Sequence, residues 1–216
     1  MAKNLKFKIK NSNSGMTYVE LIVVLSIFSI MSAIGLFSYK EFQIKVDIKN
    51  LANDIALKFV QAQKESTTGK LPVLSMPSAD PWKPSYGLLF TSDSPSAFLY
   101  FADLDQGKVF DGPYIPCPSN DPGNSVECLE TITITKGNFV SDISIFIGAT
   151  ATEISEAHIT FTRPDSGATL RCTGDSICAQ IADGTTIIDF LQITISSPQG
   201  TSSLIKVYPS GRIQLN

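Results

Sequence analysis

The sequence is poor in the residues that catalysis most often uses. Histidine occurs once among 216 residues, as His158, and cysteine occurs four times. The sequence contains no H-E-x-x-H metal motif, no G-x-S-x-G nucleophile motif and no glycine-rich phosphate loop followed by lysine. We therefore expect that the protein is not an enzyme and that it needs no organic cofactor.

Charged residues are scarce as well, at 17% of the chain, and residues 21–39 contain none. As a helix this segment would be roughly 28 Å long, close to the ~30 Å hydrocarbon core of a bilayer. Backbone groups within lipid must bond to one another, which favours a helix. The segment therefore predicts a membrane-spanning helix near the N-terminus.

Clusters of basic residues are missing from the rest of the chain. The net charge is −3, and residues 1–15 contain four lysines and no acid, so a chain without them would carry −7. Binding to a phosphate backbone needs clustered Lys and Arg. Nucleic acid is therefore not an expected partner.

The basic N-terminal segment allows two interpretations. Four lysines before an apolar run are typical of a secretory signal or a plain membrane anchor. A signal peptide, however, is cut after its apolar run at an A-x-A-like site, and none follows Tyr39. The other interpretation places the cut before the run, between Gly15 and Met16.

Residues 14–20 (SGMTYVE) and the apolar run behind them resemble the class III leader of type IV pilins and pseudopilins. The resemblance implies that a prepilin peptidase cuts after Gly15 on the cytoplasmic side and that Met16 is then methylated. It also implies that Glu20, the fifth mature residue, pairs with the Met16 amine of a neighbouring subunit during assembly.

The same resemblance implies partners and a location. The partners would be other pilin or pseudopilin subunits, the prepilin peptidase and an inner-membrane assembly platform. The precursor would cross the cytoplasmic membrane once, with its head outside the cytoplasm. The mature chain would then enter an extracytoplasmic filament.

The apolar pattern continues beyond the charge-free run with helical spacing. Steps of three and four residues connect Ile44, Ile48, Leu51, Ile55, Phe59 and Ala62. This stripe predicts one helix of about 50 residues over 16–66, with a membrane or filament-core part (16–39) and an amphipathic part (40–66). Gly69 is the expected C-cap. We expect the stripe to pack on the protein's own sheet.

Residues 67–216 predict a β-rich head, so the expected fold class is α+β, with a long helix packed on an antiparallel sheet or sandwich. Alternating residues predict strands at 131–135, 139–147, 158–162, 186–196 and 203–208. Residues 136–138 are expected to form a hairpin turn between two of them. Residues 168–172 and 178–182 are expected to frame a small turn that carries the second cysteine pair.

The head resembles the GspH/FimT group of minor pilins and pseudopilins. The similar features are Trp82 before Gly87 and an apolar strand, residues 159–161 leading to Gly167, and the closing hairpin of residues 205–213. DNA-binding members of that group carry extra basic residues in the last hairpin. This chain ends Gln-Leu-Asn there, so the resemblance implies no DNA binding.

The cysteine spacing does not fit the usual zinc motifs. An exported head favours disulfides, and four cysteines allow three pairings. The favoured pairing is local: Cys117 with Cys128, and Cys172 with Cys178.

One loop invites a metal interpretation. Asp103, Asp105 and Asp111 occupy relative positions 1, 3 and 9 of a calcium-loop pattern. Gly107, Lys108 and Tyr114 depart from that pattern at positions 5, 6 and 12. A tight Asx turn explains the same residues without a metal, so both interpretations stay open.

Two functions are consistent with these features. The first is a structural subunit of a type IV pilus or of a type II secretion pseudopilus. The alternative is a membrane-tethered binding module, a surface adhesin or a DNA-uptake receptor, for which the helix serves mainly as an anchor.

Overall fold

The computed structural model describes residues 15–72, 81–112, 117, 127–174, 176–182, 184 and 186–216, and for residues 37 and 38 the backbone only. The chain forms two compact units, Met1–Gln43 and Ile44–Asn216. Helix α1, Tyr18–Thr68, supplies residues to both units. The prediction of one helix of about 50 residues is confirmed.

Within the first unit, α1 exposes its apolar side chains. Large apolar residues from Tyr18 to Leu36 are 46–79% exposed. The helix contains an 18-residue window with a mean hydropathy of 2.4, none of it buried. The length and composition of this helix are sufficient to cross a membrane.

Within the second unit, α1 buries one stripe. The fully buried side chains are Ile48, Ala52, Ile55, Phe59, Ala62 and Ser66. They follow one another at steps of three and four, as the period of an α-helix requires for a single face. The amphipathic prediction is therefore confirmed, although Leu51 is only half-buried and Ala52 and Ser66 belong to the stripe instead.

The helix ends at the predicted glycine. Gly69 has a φ of 70°, which glycine adopts at little cost. Its N–H donates to the carbonyl of Ser66, and the N–H of Lys70 donates to the carbonyl of Glu65, both at 3.1 Å. These two bonds form a Schellman motif, which satisfies carbonyl groups at the helix end.

In the residues that the structure describes, ten antiparallel strands form two five-stranded sheets. Sheet 1 has the order β3-β2-β1-β6-β7 and sheet 2 the order β10-β9-β8-β4-β5. The strands are β1 Ser85–Thr91, β2 Ala97–Ala102, β3 Cys128–Thr133, β4 Phe139–Ile147, β5 Thr150–Glu153, β6 Glu156–Thr162, β7 Ala168–Thr173, β8 Phe190–Ser196, β9 Ser202–Val207 and β10 Ile213–Leu215. The α+β fold class is confirmed at this level.

One hydrophobic core joins the amphipathic part of α1 to both sheets. Among its fully buried members are Phe59 of the helix, Leu88 and Phe161 of sheet 1, and Ile193 and Ile205 of sheet 2. Successive residues of a strand point to opposite faces. The other face of sheet 1 therefore carries a second, smaller cluster made of Leu89, Leu99, Phe101, Phe110 and Cys128. Phe110, in the described segment 103–112 that follows β2, belongs to this second cluster.

Three local predictions are wrong. The turn at 136–138 is not a hairpin, because β3 belongs to sheet 1 and β4 to sheet 2. Residues 178–182, predicted to flank a small turn, belong instead to a short helix, α2 Ser176–Ala182, with Cys178 and Ile181 buried. The strand predicted over residues 186–196 begins only at Phe190, as β8, and Ile187 before it is 81% exposed.

Candidate functional site

The start of α1 is closed by two reciprocal hydrogen bonds. The N–H of Glu20 donates to Thr17 Oγ1 at 3.3 Å, and the N–H of Thr17 donates to Glu20 Oε2 at 3.5 Å. Thr17 is thus the N-cap, and Glu20 is the N3 residue of a capping box. The leader resemblance implies only an assembly role for Glu20, although the T-x-x-E spacing of Thr17 and Glu20 is also the usual sequence signal for a capping box.

Gly15 and Met16 lie just before this cap and outside the helix. Both residues are exposed, and a Cβ added to Gly15 would meet nothing within 4 Å. The packing of the described residues therefore does not require a glycine at position 15.

The loop after β2 is held against sheet 1 by buried contacts. Trp82 Nε1 donates to the carbonyl of Asp103 at 2.9 Å, and the N–H of Phe110 donates to His158 Nδ1 at 2.9 Å. His158 is 1% exposed. The single histidine and the single tryptophan thus each hold one residue of this segment, Phe110 and Asp103, by a hydrogen bond.

The side chain of Lys108, in the segment that follows β2, contacts sheet 1. Its Nζ donates to Thr162 Oγ1 at 2.7 Å and to Ser85 Oγ at 3.2 Å, and it lies 3.5 Å from Asp103 Oδ2. Lys108 itself has a φ of 66°. Asp103 is 0% exposed, so this ammonium group compensates part of a buried carboxylate charge.

Three carboxylates converge at the base of the loop. Asp103, Asp105 and Glu127 each offer an oxygen within 4.8 Å of the other two. Asp105 Oδ1 also accepts the N–H of Gly107 at 2.8 Å, so the expected Asx turn is present. We call Asp103, Asp105 and Glu127 the acidic triad.

Asp111, the third member of the predicted calcium loop, is placed differently. Its backbone N–H donates to Glu127 Oε2 at 3.4 Å, and the N–H of Leu104 donates to Glu127 Oε1 at 2.8 Å. Glu127 takes the place in the triad that the sequence pattern gave to Asp111. The sequence offered one signal for Glu127. This residue directly precedes Cys128, and a local disulfide from Cys128 to Cys117 connects its position to the segment that follows β2.

The environment of the triad disfavours ionised carboxylates. Burial raises the pKa of Glu127 to about 8, and the charges of Asp111 and Asp103 add to the rise, while the two N–H donors oppose it. Burial also raises the pKa of Asp103, against the opposing charge of Lys108.

The four cysteines form two local disulfides, Cys117–Cys128 and Cys172–Cys178. This is the pairing that the sequence favoured. The first bridge joins Cys117 to the first residue of β3, and the second joins β7 to α2. Both bridges lie in the second unit, outside the apolar part of α1.

A further polar group surrounds Glu65 near the end of α1. Glu65 accepts hydrogen bonds from Tyr100 Oη at 2.7 Å, Lys70 Nζ at 2.8 Å and Gln61 Nε2 at 3.0 Å. Burial alone would raise the pKa of Glu65, but these bonds and the Lys70 charge outweigh it and lower the pKa. Glu65, Lys70 and Tyr100 border a cavity of about 200 Å³.

Comparisons of the chain with protein-family models, with curated proteins and with solved structures found no match.

Proposed function

We propose that the protein is a structural subunit, a minor pseudopilin or pilin, that assembles into a type IV pilus or a type II secretion pseudopilus. The observation that carries the proposal is the start of α1. An exposed Gly15–Met16 pair lies directly before a capped helix whose first turn holds Glu20 and whose next residues, 21–39, are uncharged.

The exposed apolar surface of α1 supports this function. Removing apolar surface from water stabilises by roughly 25 cal/mol per Å². Side chains such as Phe28 and Met31, 68% and 69% exposed, therefore favour lipid or the helices of other subunits over water. The same surface can serve in the membrane first and in a filament core later.

Glu20 supplies the specific interaction in the proposed assembly. A cut after Gly15 creates an amine on Met16, largely cationic near neutral pH. A carboxylate in an apolar surrounding is costly unless it is paired. In a staggered pair of subunits, Glu20 of one subunit meets the Met16 amine of the next, which sets their register.

The N-terminus of the protein made in its native cell tests the processing step. We expect mass spectrometry to find a chain that begins with N-methylated Met16, and we expect Gly15→Ala to abolish the cut. Since an added Cβ at Gly15 has open space, loss of cutting would not reflect misfolding. A chain that begins at Met1, or after the apolar run, contradicts the proposal.

The capping box makes a sharp test of the assembly step possible. Glutamine keeps the N3 hydrogen bond of the box but has no charge, whereas leucine removes both. If charge pairing sets the register, Glu20→Gln and Glu20→Leu should each reduce recovery in sheared filaments by about tenfold or more, as loss of a charged hydrogen bond would.

The matched control for this experiment is Glu41→Gln, because Glu41 is another exposed acid on the same helix. It should assemble like the wild type. If Glu20→Gln also assembles normally and only Glu20→Leu fails, the carboxylate acts as a cap alone and the register proposal is wrong. Retention of both variants in the membrane fraction shows that insertion is intact.

A further inference from the structure

We propose that the acidic triad, Asp103, Asp105 and Glu127, binds a calcium ion at the base of the loop over sheet 1. The inference does not depend on the proposed filament function. It replaces the third ligand of the sequence pattern, Asp111, with a residue distant in sequence that the fold brings to the loop.

The spacing of the three oxygens fits one ion. Calcium binds oxygen ligands at about 2.3–2.6 Å, so two ligands of one ion lie at most about 5 Å apart. One oxygen from each member of the triad lies within 4.8 Å of one oxygen from each of the other two. These separations are compatible with one calcium ion that contacts all three carboxylates.

The buried oxygen of Asp103 points independently to a ligand. Asp103 is 0% exposed, and its Oδ2 is the oxygen near Lys108. Among the described residues, its Oδ1 has no hydrogen-bond partner. A buried carboxylate oxygen without a partner is costly, and a bound cation would remove that cost.

Lys108 alone does not balance the charge. Its Nζ is directed to Thr162 and Ser85 of sheet 1 and meets Asp103 at Oδ2 only. Within the part of the chain that the structure describes, it is the cation beside the triad. When ionised, three carboxylates exceed the charge of one ammonium group, and a divalent ion would favour their ionised forms and match the excess.

The donor set selects the type of metal. All three side chains offer oxygen, the ligand that hard cations prefer. The nearby His158 Nδ1 already accepts the Phe110 N–H, and Cys128 is in a disulfide. Soft or nitrogen-preferring metals therefore lack ligands here. A site that is partly exposed through Asp105 and that uses flexible carboxylate geometry suits calcium better than the strictly octahedral magnesium.

The test is calorimetric titration of the purified full chain in detergent micelles with CaCl2, together with thermal unfolding in excess CaCl2 and in EGTA. We expect one calcium per chain, with a dissociation constant in the range of about 10⁻⁴–10⁻³ M typical of extracellular modules, and a higher Tm with calcium. The absence of binding at about 10 mM CaCl2 overturns the proposal, and equal binding of MgCl2 overturns the assignment to calcium.

Two variants locate the site. Glu127→Gln keeps an oxygen for the Leu104 N–H and should weaken calcium binding at least tenfold, whereas the control Asp111→Asn should bind like the wild type. Unchanged binding by Glu127→Gln contradicts the proposal. If Glu127→Gln does not fold, Asp105→Asn decides, since asparagine keeps the turn bond to Gly107 and should lose binding to the same extent; wild-type binding by this variant also contradicts the proposal.

Discussion

Glu65 shows how a single carboxylate connects a helix end to a sheet. Its side chain is 12% exposed and holds Tyr100 of β2, Lys70 after the helix and Gln61 one turn earlier. The hydroxyl of Tyr86 in β1 donates to the carbonyl of Lys70 at 2.6 Å. Burial raises the pKa of Tyr86 to about 12, with a further contribution from the Glu65 charge, so this tyrosine remains a donor at physiological pH.

The lowered pKa of Glu65 predicts an acid-sensitive contribution to stability. Since its pKa is lower in the folded chain than the ordinary 4.5, the stabilisation is complete above about pH 4.5 and is lost as the pH falls through the folded-state pKa. We expect Glu65→Gln to be less stable than the wild type at neutral pH and to show a flatter decline of Tm below about pH 4.5.

Thermal unfolding followed by circular dichroism over a pH series measures this effect. Glu41→Gln is the control, because Glu41 is an exposed acid of the same helix. If Glu65→Gln and the control decline in parallel with the wild type, Glu65 does not contribute to the acid dependence.

At the scale of the element, α1 changes character along its length. Its second part has one buried stripe centred on Ile55 and Phe59, both 0% exposed, and the Phe59 ring stacks on Phe90 of β1 with centroids 6.0 Å apart. The first part buries no such stripe. The polar side of the second part bears ion pairs to the head, Lys58 to Glu130 and Asp47 to Lys136, which at exposed sites contribute little.

Apolar packing, rather than these ion pairs, should therefore hold the helix to the head. We expect Phe59→Ala to lower the free energy of unfolding by about 3–5 kcal/mol, as for other buried aromatic residues. Leu57→Ala, on the exposed side of the same helix at 65% exposure, should change it by less than about 0.5 kcal/mol. Chemical denaturation of the two variants in the same detergent measures the difference, and equal effects would show that the stripe is not the packing face.

The sequence predicts α1 well because its signals are local. The stripe has a period that a helix alone satisfies, and Gly69 is the left-handed residue that a Schellman motif needs. The division into two sheets depends instead on residues that are far apart in the sequence. For example, β1 pairs with β6, and Leu88 lies opposite Ile159. Gly137 is a turn residue in either arrangement. The turn chemistry therefore could not distinguish a hairpin from a crossing between sheets.

The candidate-site residues show the same difference between local and long-range signals. The capping residues Thr17 and Glu20 are three positions apart and can be identified from the sequence. Asp103 and Asp105 are also neighbours, but Glu127 joins them only after β3 has paired with β2. No periodicity or motif specifies that approach, so the sequence pattern selected the nearest available acid, Asp111.

At the scale of the whole molecule, two local disulfides cross-link the second unit. Disulfides persist in oxidising compartments, and both bridges lie in the unit Ile44–Asn216. Their cysteines are 11 and 6 positions apart. Closing loops of these lengths stabilises by about 2–3 kcal/mol each in the chain-entropy view.

We therefore expect a reducing agent to lower the Tm of the head by several degrees or more. The matched control is the quadruple variant in which every cysteine is replaced by serine, which should already have the lower Tm and should not respond to the reductant. A wild-type Tm that is unchanged after verified reduction of both bridges contradicts this prediction. Differential scanning calorimetry of both proteins with and without reductant makes the comparison.

The position of the helix start has a consequence for maturation. Helix α1 begins at Tyr18, and the first backbone bond, from the N–H of Leu21 to the carbonyl of Thr17 at 3.1 Å, lies on the far side of the Gly15–Met16 bond. Hydrolysis of that bond would release the leader without removing a helical residue or a hydrogen bond of the cap. Precursor and product would then have the same secondary structure from Tyr18 onward. The reaction would create a new terminal amine at Met16 without any refolding of the helix.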